Sequence, residues 1–211
     1  MKISYAIPVC NEHVELEKLL DFLSQHIDQE DELVIKCDKG NTTPEVYKVI
    51  DSFKAPRGLK DPLKIIEFPL KGHFSNFKNN LKEHCAGDWI FQIDADELPT
   101  HYLIRNLKEI LKLNPTVEMF MVPRVNTVKG LTQEHITKWG WNVNKSGWVN
   151  WPDYQTRILQ NSPHIKWKSK VHEVLLGHKT QSALPAEEEW CLYHHKHIDK
   201  QEHQNDFYNT L

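Results

Sequence analysis

The chain has 211 residues, of which 39% are hydrophobic and 26% charged, a balance typical of a folded domain and not of a disordered or collagen-like chain. Its 26 basic and 29 acidic residues give a formal net charge of −3. Because no long basic stripe accompanies this charge, nucleic acid is not expected to be a partner.

Strand and helix patterns alternate through the first half of the chain. Short apolar runs end in polar residues, and most are followed by apolar residues at the 3.6-residue spacing of a helix. The predicted strands are residues 3–9, 33–37, 63–68 and 89–93, and the predicted helices are residues 14–23, 44–53 and 75–85. This alternation predicts an α/β, Rossmann-like fold with a mostly parallel central sheet flanked by helices.

The second half is less regular and is rich in tryptophan and histidine. Residues 101–113 have the pattern of an amphipathic helix, whereas residues 127–153 keep no period and are predicted to form a long loop or short hairpins, as functional lids and binding loops often do. The other predicted elements are strands at 117–125, 155–159, 170–176 and 190–194 and a terminal helix at 199–211. Residues 54–62 are expected to be a surface connection within one domain.

The four cysteines, Cys10, Cys37, Cys85 and Cys191, are far apart and show no CxxC spacing. We therefore predict free, buried thiols, as in a reducing compartment. No window approaches the ~18 apolar residues of a membrane span, and the first residues lack the apolar stretch of a signal peptide. The expectation is a soluble, cytoplasmic protein with no transmembrane segment.

Polar and acidic residues follow three of the predicted strands: Asn11 with Glu12, Asp38, and Asp94 with Asp96. Ligands of open α/β sheets bind at the carboxyl ends of the strands, so these side chains are expected to converge. Asp94 and Asp96 lie two residues apart in extended chain and therefore leave the same side. Two close carboxylates repel unless a cation lies beside them. The pattern predicts a Mg²⁺ or Mn²⁺ site for a nucleoside diphosphate substrate, although a DxD pair also occurs by chance in acidic loops.

Several separated blocks carry a family resemblance. They are residues 5–12 (YAIPVCNE), the strand ending at Asp38, and residues 74–79, 87–97 (GDWIFQIDADE), 152–157 (PDYQTR) and 171–173 (VHE). Their order and spacing over nearly the whole chain resemble the bacterial lipopolysaccharide-type sugar transferases of glycosyltransferase family 2. The resemblance implies a single compact GT-A domain, a nucleotide-sugar donor with UDP favoured, Mn²⁺ or Mg²⁺, a carbohydrate acceptor and inversion at the anomeric carbon. With the compositional split, residues 1–98 are expected to hold the donor and residues 99–211 the acceptor.

The resemblance also implies roles for individual residues. Asp96 would bind the metal directly, Asp94 would lie toward the ribose or the metal, and His172 would approach the diphosphate or complete the metal shell. Asp153 would be the general base that deprotonates the acceptor hydroxyl. Pro8, Val9, Asn11, Glu12 and Asp38 would hold the nucleoside, with Asp38 near the base. The remaining expected donor-binding residues are Lys78 and Ala95. Lys78 stands where relatives usually have arginine, so a point charge replaces a bidentate phosphate contact.

Other interpretations of three acidic residues stay open. Asp153 follows a proline and also fits a turn. Glu97 and Glu173 are second candidates for the general base, since either side chain could reach the same cleft.

The aromatic and histidine clusters also allow two interpretations. Tryptophans suit the apolar face of a sugar ring, but they also anchor irregular loops, so we expect only one or two of Trp139, Trp141, Trp148 and Trp151 to contact sugar. Residues 194–197 with His203 are a weak zinc pattern, because adjacent residues of a strand face opposite ways. Whichever of His194 and His195 faces inward is an alternative to His172.

Two other functions compete with sugar transfer. A nucleotidyltransferase also uses an α/β sheet and paired acids, but it usually has a glycine-rich loop after its first strand, and residues 8–13 contain no glycine. A non-catalytic carbohydrate-binding protein would use the tryptophans and leave the DxD pair without a chemical role.

Overall fold

Alternating strands and helices build the first half of the chain in the computed structural model, which describes residues 1–53 and 59–208. In chain order these elements are β1 (Ile3–Val9), α1 (His13–His26), β2 (Glu32–Asp38), α2 (Pro44–Ser52), β3 (Lys64–Phe68), α3 (Phe74–Glu83) and β4 (Trp89–Gln92). The predicted alternation is confirmed, with element ends shifted by a few residues.

Shorter strands dominate the second half. The elements are β5 (Glu97–Pro99), α4 (His101–Leu113), β6 (Met119–Val122), β7 (Arg124–Lys129), α5 (Gln133–Trp139), β8 (Gln155–Gln160), β9 (Lys166–Lys168), β10 (Val174–Leu176), β11 (Gln181–Ala183), a 3-10 turn (Glu188–Trp190), β12 (Leu192–His197) and α6 (Ile198–Tyr208). Residues 54–58 of the predicted surface connection and residues 209–211 of the predicted terminal helix lie outside the described residues.

Seven strands form the central sheet in the order β11-β6-β8-β4-β1-β2-β3. The neighbours β1–β2, β1–β4, β2–β3 and β6–β11 run parallel, whereas β8 is antiparallel to both β4 and β6. The sheet is therefore mostly parallel, as predicted. Because β8 of the second half lies between β4 and β6, the two halves share one sheet and form one domain.

The two faces of the sheet are covered by different helices. One core cluster joins apolar residues of β1, β2 and β4 to the buried faces of α1, α2 and α4. A second cluster packs the opposite face of the sheet against α3 and the β9–β10 hairpin. This division follows from the two-residue period of a strand, which sends neighbouring apolar side chains to opposite faces.

A second, three-stranded sheet has the order β5-β12-β7, and it lies directly after the acidic segment that follows β4. His194 of β12 pairs with Glu97 of β5 on one side and with Asn126 of β7 on the other. This small sheet therefore carries side chains of the second half to the DxD segment of the first.

Three local predictions for the second half are wrong. Residues 117–125 are not one strand, because Pro123 separates β6 in the large sheet from β7 in the small one. Residues 170–176 are not one strand either, since Ser169 and His172 have φ of 77° and 51°, which an extended strand does not allow. Segment 127–153 is not irregular throughout, because it contains α5, which begins at a Thr132 cap and ends at Gly140 with φ 63°. The short-hairpin alternative fits only the antiparallel bridge between Val143 and Val149.

Two global expectations can be compared with the structure. The four cysteines are free; Cys37, Cys85 and Cys191 are buried and Cys10 is partly buried. Within residues 1–53 and 59–208, no helix combines the length and the apolar character that crossing a membrane requires.

Candidate active site

A cavity of about 710 Å³ opens at the carboxyl end of β4, between the large and the small sheet. Five of the residues predicted from the sequence line it: Lys78, Asp94, Asp96, Asp153 and His172. The structure therefore brings together predicted donor, metal and base residues that lie up to 94 positions apart in the sequence. The other wall comes from the second half and includes Arg124, Asn126, Trp141, His194 and Lys196.

The predicted nucleoside residues lie outside the wall of this cavity. Pro8 and Val9 are the last residues of β1, and Ala95 is buried between the two aspartates. Glu12 turns its Oε2 back to accept hydrogen bonds from the backbone N–H groups of Cys10 and Asn11, at 2.9 and 3.0 Å. These contacts fix the loop after β1.

Asp38 also fixes a loop. Its Oδ1 accepts a hydrogen bond from the backbone N–H of Leu70 at 2.8 Å, and its Oδ2 accepts one from Asn41 Nδ2 at 2.9 Å. The buried carboxylate thus ties the loop after β2 to the loop after β3. Its contact with a nucleobase stays a prediction.

Asp96 faces a lysine and a histidine of the second half. Its Oδ2 lies 3.2 Å from Lys200 Nζ and 3.4 Å from His194 Nε2. Although burial disfavours the charged form, the hydrogen bond with His194 and the charges of His194 and Lys200 hold the pKa of Asp96 well below its usual range. The carboxylate is therefore ionised at neutral pH, as a metal ligand must be.

Asp94 and Glu97 share one arginine. Arg157 of β8 donates from Nη2 to Asp94 Oδ2 at 2.6 Å, and from Nε and Nη2 to the two oxygens of Glu97 at 2.9 and 2.7 Å. Glu97 has no exposed side-chain surface. Burial raises the pKa of this carboxyl, but Arg157 and Arg124 outweigh it and keep the pKa low.

Asp153 is held by the small sheet. Its Oδ2 accepts hydrogen bonds from Arg124 Nε and Nη2 at 3.0 and 2.7 Å and from Asn126 Nδ2 at 2.7 Å. Its Oδ1 accepts one from Gln155 Nε2 at 3.0 Å. A carboxylate fixed in this way is a positioned group in the wall of the cavity and not merely a turn residue.

Two chains of polar contacts connect Asp153 to the DxD segment. Arg124 Nη1 donates to Glu97 Oε1 at 2.9 Å, and through Arg157 this chain reaches Asp94. His194 Nδ1 lies 2.8 Å from Asn126 Oδ1, and its Nε2 faces Asp96. The proposed base and both aspartates therefore have their positions set by one buried network.

Lys78 of α3 and His172 of the loop between β9 and β10 also line the cavity. Lys78 forms an ion pair with Glu173, and its Nζ lies 4.6 Å from the centre of the Trp167 ring. His172 directly precedes Glu173 in the same loop, and its side chain is exposed. Lys78 thus anchors this loop to α3 in addition to lining the cavity.

The predicted three-residue metal shell is not assembled. Among the residues that the structure describes, no three His, Cys, Asp or Glu side chains are grouped so that they could hold an ion. Asp94 is turned to Arg157, Asp96 to Lys200 and His194, and His172 lies in its exposed loop. Asp96 alone still fits a hard divalent ion, because Mg²⁺ often takes one or two carboxylates and completes its shell with water and substrate phosphate.

The tryptophans of segment 127–153 mostly contact one another. Trp139 packs against Trp141 with ring centres 4.6 Å apart, and Trp148 packs edge-on against Trp151 at 4.8 Å. Of these four residues, Trp141 lines the cavity. One of the four therefore faces the cavity, and its contact with sugar stays a prediction.

Sequence reasoning gave no role to four residues of this site: Arg124, Asn126, Arg157 and Lys200. Arg157 belongs to the block 152–157, and an arginine directly before the apolar residues of a predicted strand is the signal that could have identified it. Of His194 and His195, His194 is the one that faces inward: its side chain is 8% exposed, whereas His195 contacts Thr127. In the part of the chain that the structure describes, the histidines are not grouped so that they could hold zinc.

Comparisons with known proteins give the family and the fold of the chain. The model of the family "Glycosyl transferase family 2" matches residues 4–173. A curated protein of Haemophilus influenzae, described as an uncharacterized glycosyltransferase, is 30% identical over 83 residues, which are 39% of this chain and 29% of that protein.

Solved structures with a similar fold include TarS of S. aureus. TarS residues 1–349 in complex with UDP-GlcNAc superpose with a TM-score of 0.62 at 16% identity, over 93% of this chain and 59% of that one. Another structure of TarS gives 0.62 at 14% identity, over 92% of this chain and 37% of that one. The chain thus spans less than two thirds of the length of these proteins. The likeness shows the GT-A fold, and the family match over most of the sequence shows that the chain belongs to glycosyltransferase family 2.

Proposed function

We propose that the chain transfers a sugar from a nucleotide-sugar, with UDP as the favoured nucleotide, to an acceptor hydroxyl with inversion at the anomeric carbon. The observation that carries the proposal is the cavity in which Asp96, the ionised carboxylate of the DxD segment, faces the same space as the fixed carboxylate of Asp153. TarS, a structure of similar fold, was solved in complex with UDP and with UDP-GlcNAc, which favours a UDP-sugar as the donor.

The proposed roles follow the two halves of the chain. Residues 1–98 would hold the donor, with the loops after β1 and β2 at the nucleoside and Asp94 and Asp96 at the diphosphate. Residues 99–211 would hold the acceptor, with Trp141 against a sugar face. The cavity wall supports this division, because Asp94 and Asp96 come from the first part and Asp153 and Trp141 from the second.

Asp96, with Asp94 beside it, would hold Mn²⁺ or Mg²⁺. The ion supplies a Lewis acid for the charge that develops on the departing diphosphate. Asp94 is restrained by Arg157, so the first carboxylate of the pair has a fixed orientation before any ligand arrives. His172 remains a proposed contact of the diphosphate from the loop after β9.

Asp153 would accept the proton of the acceptor hydroxyl. Arg124 and Asn126 occupy its Oδ2, while Oδ1 accepts a single hydrogen bond from Gln155. A carboxylate oxygen has room for more than one donor, so Oδ1 is the atom that we assign to the proton. Inversion follows if the activated hydroxyl attacks from the face opposite to the diphosphate in one step.

A panel of nucleotide-sugars tests the proposal. Binding and slow hydrolysis of each donor are measured with Mn²⁺ and with a chelator, using the wild-type chain. We expect cation-dependent binding of at least one UDP-sugar. If no donor of the panel binds or turns over in a cation-dependent way, the proposed function is wrong.

A further inference from the structure

Lys200 is placed beside Asp96 by the packing of α6. Ile198, the first residue of this helix, lies against Gly130, where a Cβ would come within 2.9 Å of Ile198 Cγ2. Gly130 also has φ 88°, a conformation that other residues rarely adopt. The close approach fixes the start of α6 at the end of β7, and two residues later Lys200 Nζ meets Asp96 Oδ2 at 3.2 Å.

The ammonium group of Lys200 lies between two parts of the donor site. On one side is Asp96, and on the other is the beginning of α1, where Glu15 Oε1 is 4.0 Å away. The first turn of α1 directly follows the loop after β1, so Lys200 lies between this part of the chain and the proposed metal carboxylate.

In the proposed function, a nucleoside diphosphate would extend across the space between the loop after β1 and Asp96. Its nucleoside would lie at the loop after β1 and its terminal phosphate at Asp96, with the diphosphate between them. The terminal phosphate carries most of the negative charge that develops when the sugar leaves. The Lys200 ammonium, which lies between Asp96 and the start of α1, is therefore well placed to bind this phosphate.

The contact of Lys200 with Asp96 can be exchanged at low cost. The Lys200 side chain is 37% exposed, and a partly exposed ion pair contributes little to stability. A lysine is a compact charge on a flexible four-carbon stem, so its ammonium can move to a new partner without moving the helix. An arriving cation would compete with it for Asp96 and an arriving phosphate would attract it.

We propose that Lys200 is a diphosphate-binding residue of the donor site, whose ammonium leaves Asp96 and binds the terminal phosphate of the nucleotide when the donor is loaded. The inference rests on the proposed function. It assigns two states to one side chain: a counter-ion of Asp96 in the unliganded chain and a contact of the leaving group in the loaded one.

The test compares UDP, UMP and Mn²⁺ alone as ligands of four proteins: wild type, Lys200→Met, Lys200→Arg and Lys18→Met. Lys18 is an exposed lysine of α1, so Lys18→Met removes the same charge from the neighbouring surface. Nucleotide affinities are measured by calorimetry in Mn²⁺, and affinity for Mn²⁺ alone by electron paramagnetic resonance. Thermal melting of each variant checks that it is folded.

Lys200→Met is expected to lower the affinity for UDP by about tenfold, because one charge-assisted hydrogen bond is lost. The affinity for UMP should not change. The substitution is also expected to raise the affinity for Mn²⁺ in the absence of nucleotide, because the lysine no longer competes with the metal for Asp96. Lys200→Arg should keep the affinity for UDP and Lys18→Met should behave as wild type. Opposite shifts for UDP and Mn²⁺ are a signature that a merely structural lysine would not give.

Three results overturn the proposal in distinguishable ways. Equal UDP affinity in wild type and Lys200→Met shows that Lys200 does not bind the diphosphate. Equal losses for UDP and UMP show that the change acts on the nucleoside or on folding. If wild type binds neither nucleotide nor any nucleotide-sugar of the panel, the proposed function itself is wrong and the inference falls with it.

Discussion

Arg124 donates two hydrogen bonds to the same oxygen of Asp153, from Nε at 3.0 Å and from Nη2 at 2.7 Å. Both donors approach Oδ2, and Asn126 adds a third donor to that atom. The carboxylate is thereby held in one orientation, with Oδ1 as its less occupied atom. The pair links the small sheet to the cavity and gives Asp153 a fixed place before any acceptor binds.

Asp153→Asn is expected to lower the rate of sugar transfer by about 10²–10⁴-fold, the usual contribution of a general base, and to leave donor affinity unchanged. The amide keeps the shape of the side chain but cannot take up the proton. Transfer rate and donor affinity are measured on the same preparation, with Asp21→Asn on the exposed side of α1 as a control of equal charge change. Parallel losses of rate and donor affinity would contradict this division of roles.

Asp96→Ala is expected to abolish the part of donor binding that depends on Mn²⁺. Asp96 is the ionised carboxylate that we assign to the cation, so its loss should leave the same UDP affinity with Mn²⁺ and with a chelator. The comparison is made within one protein, which removes any general effect of the substitution. A variant that still binds UDP more tightly with Mn²⁺ would show that another residue holds the metal.

Glu97→Gln is expected to lower the free energy of unfolding by about 3–5 kcal/mol, as found when one partner of a buried ion pair is removed. Glu97 has no exposed side-chain surface and accepts hydrogen bonds from Arg157 and Arg124, so the amide leaves two guanidinium groups short of a negative charge. Urea unfolding measures the change, with the exposed Glu17→Gln of α1 as control. Equal losses in the two variants would mean that the network does not stabilise the fold.

The parallel part of the fold could be predicted because its signals are local. Apolar runs form β1, β2 and β4, and α4 has the predicted bounds, since Thr100 caps an amphipathic stretch. The helix α5 could not be predicted in this way, because none of its residues is buried and it has no apolar stripe. Its recognisable signals are only the Thr132 cap and Gly140.

The site could be predicted only where its residues follow a strand directly. Asp94 and Asp96 do so, and the end of β4 fixes their place. Arg124 and Arg157 reach them because β7 joins β12 and β8 joins β4, and these strand pairings are between distant segments that no local period reveals. Lys200 depends in addition on the contact between Ile198 and Gly130. The sequence therefore predicts the carboxylates Asp94 and Asp96, but it does not predict the arginine and lysine side chains that bind the carboxylates of the site.

Lys36 leads to a prediction about the pH dependence of stability. It is fully buried in β2, and its Nζ donates to the Phe77 carbonyl at 2.8 Å and to Asn80 Oδ1 at 2.6 Å. Burial lowers the pKa of the Lys36 ammonium to about 7. In the unfolded chain the pKa of lysine is about 10.4, so between these two values the unfolded state holds more protons at this site than the folded state does.

The free energy of unfolding of wild type should therefore rise with pH above about 7, relative to Lys36→Met, by as much as about 1.4 kcal/mol per pH unit. Urea unfolding at pH 7, 8 and 9 measures this difference, and other titrating groups cancel because both proteins contain them. The exposed Lys39→Met provides the matched control and should run parallel to wild type. If the difference between wild type and Lys36→Met stays constant over this range, Lys36 is charged in the folded protein, and the contacts with Phe77 and Asn80 have compensated for its burial.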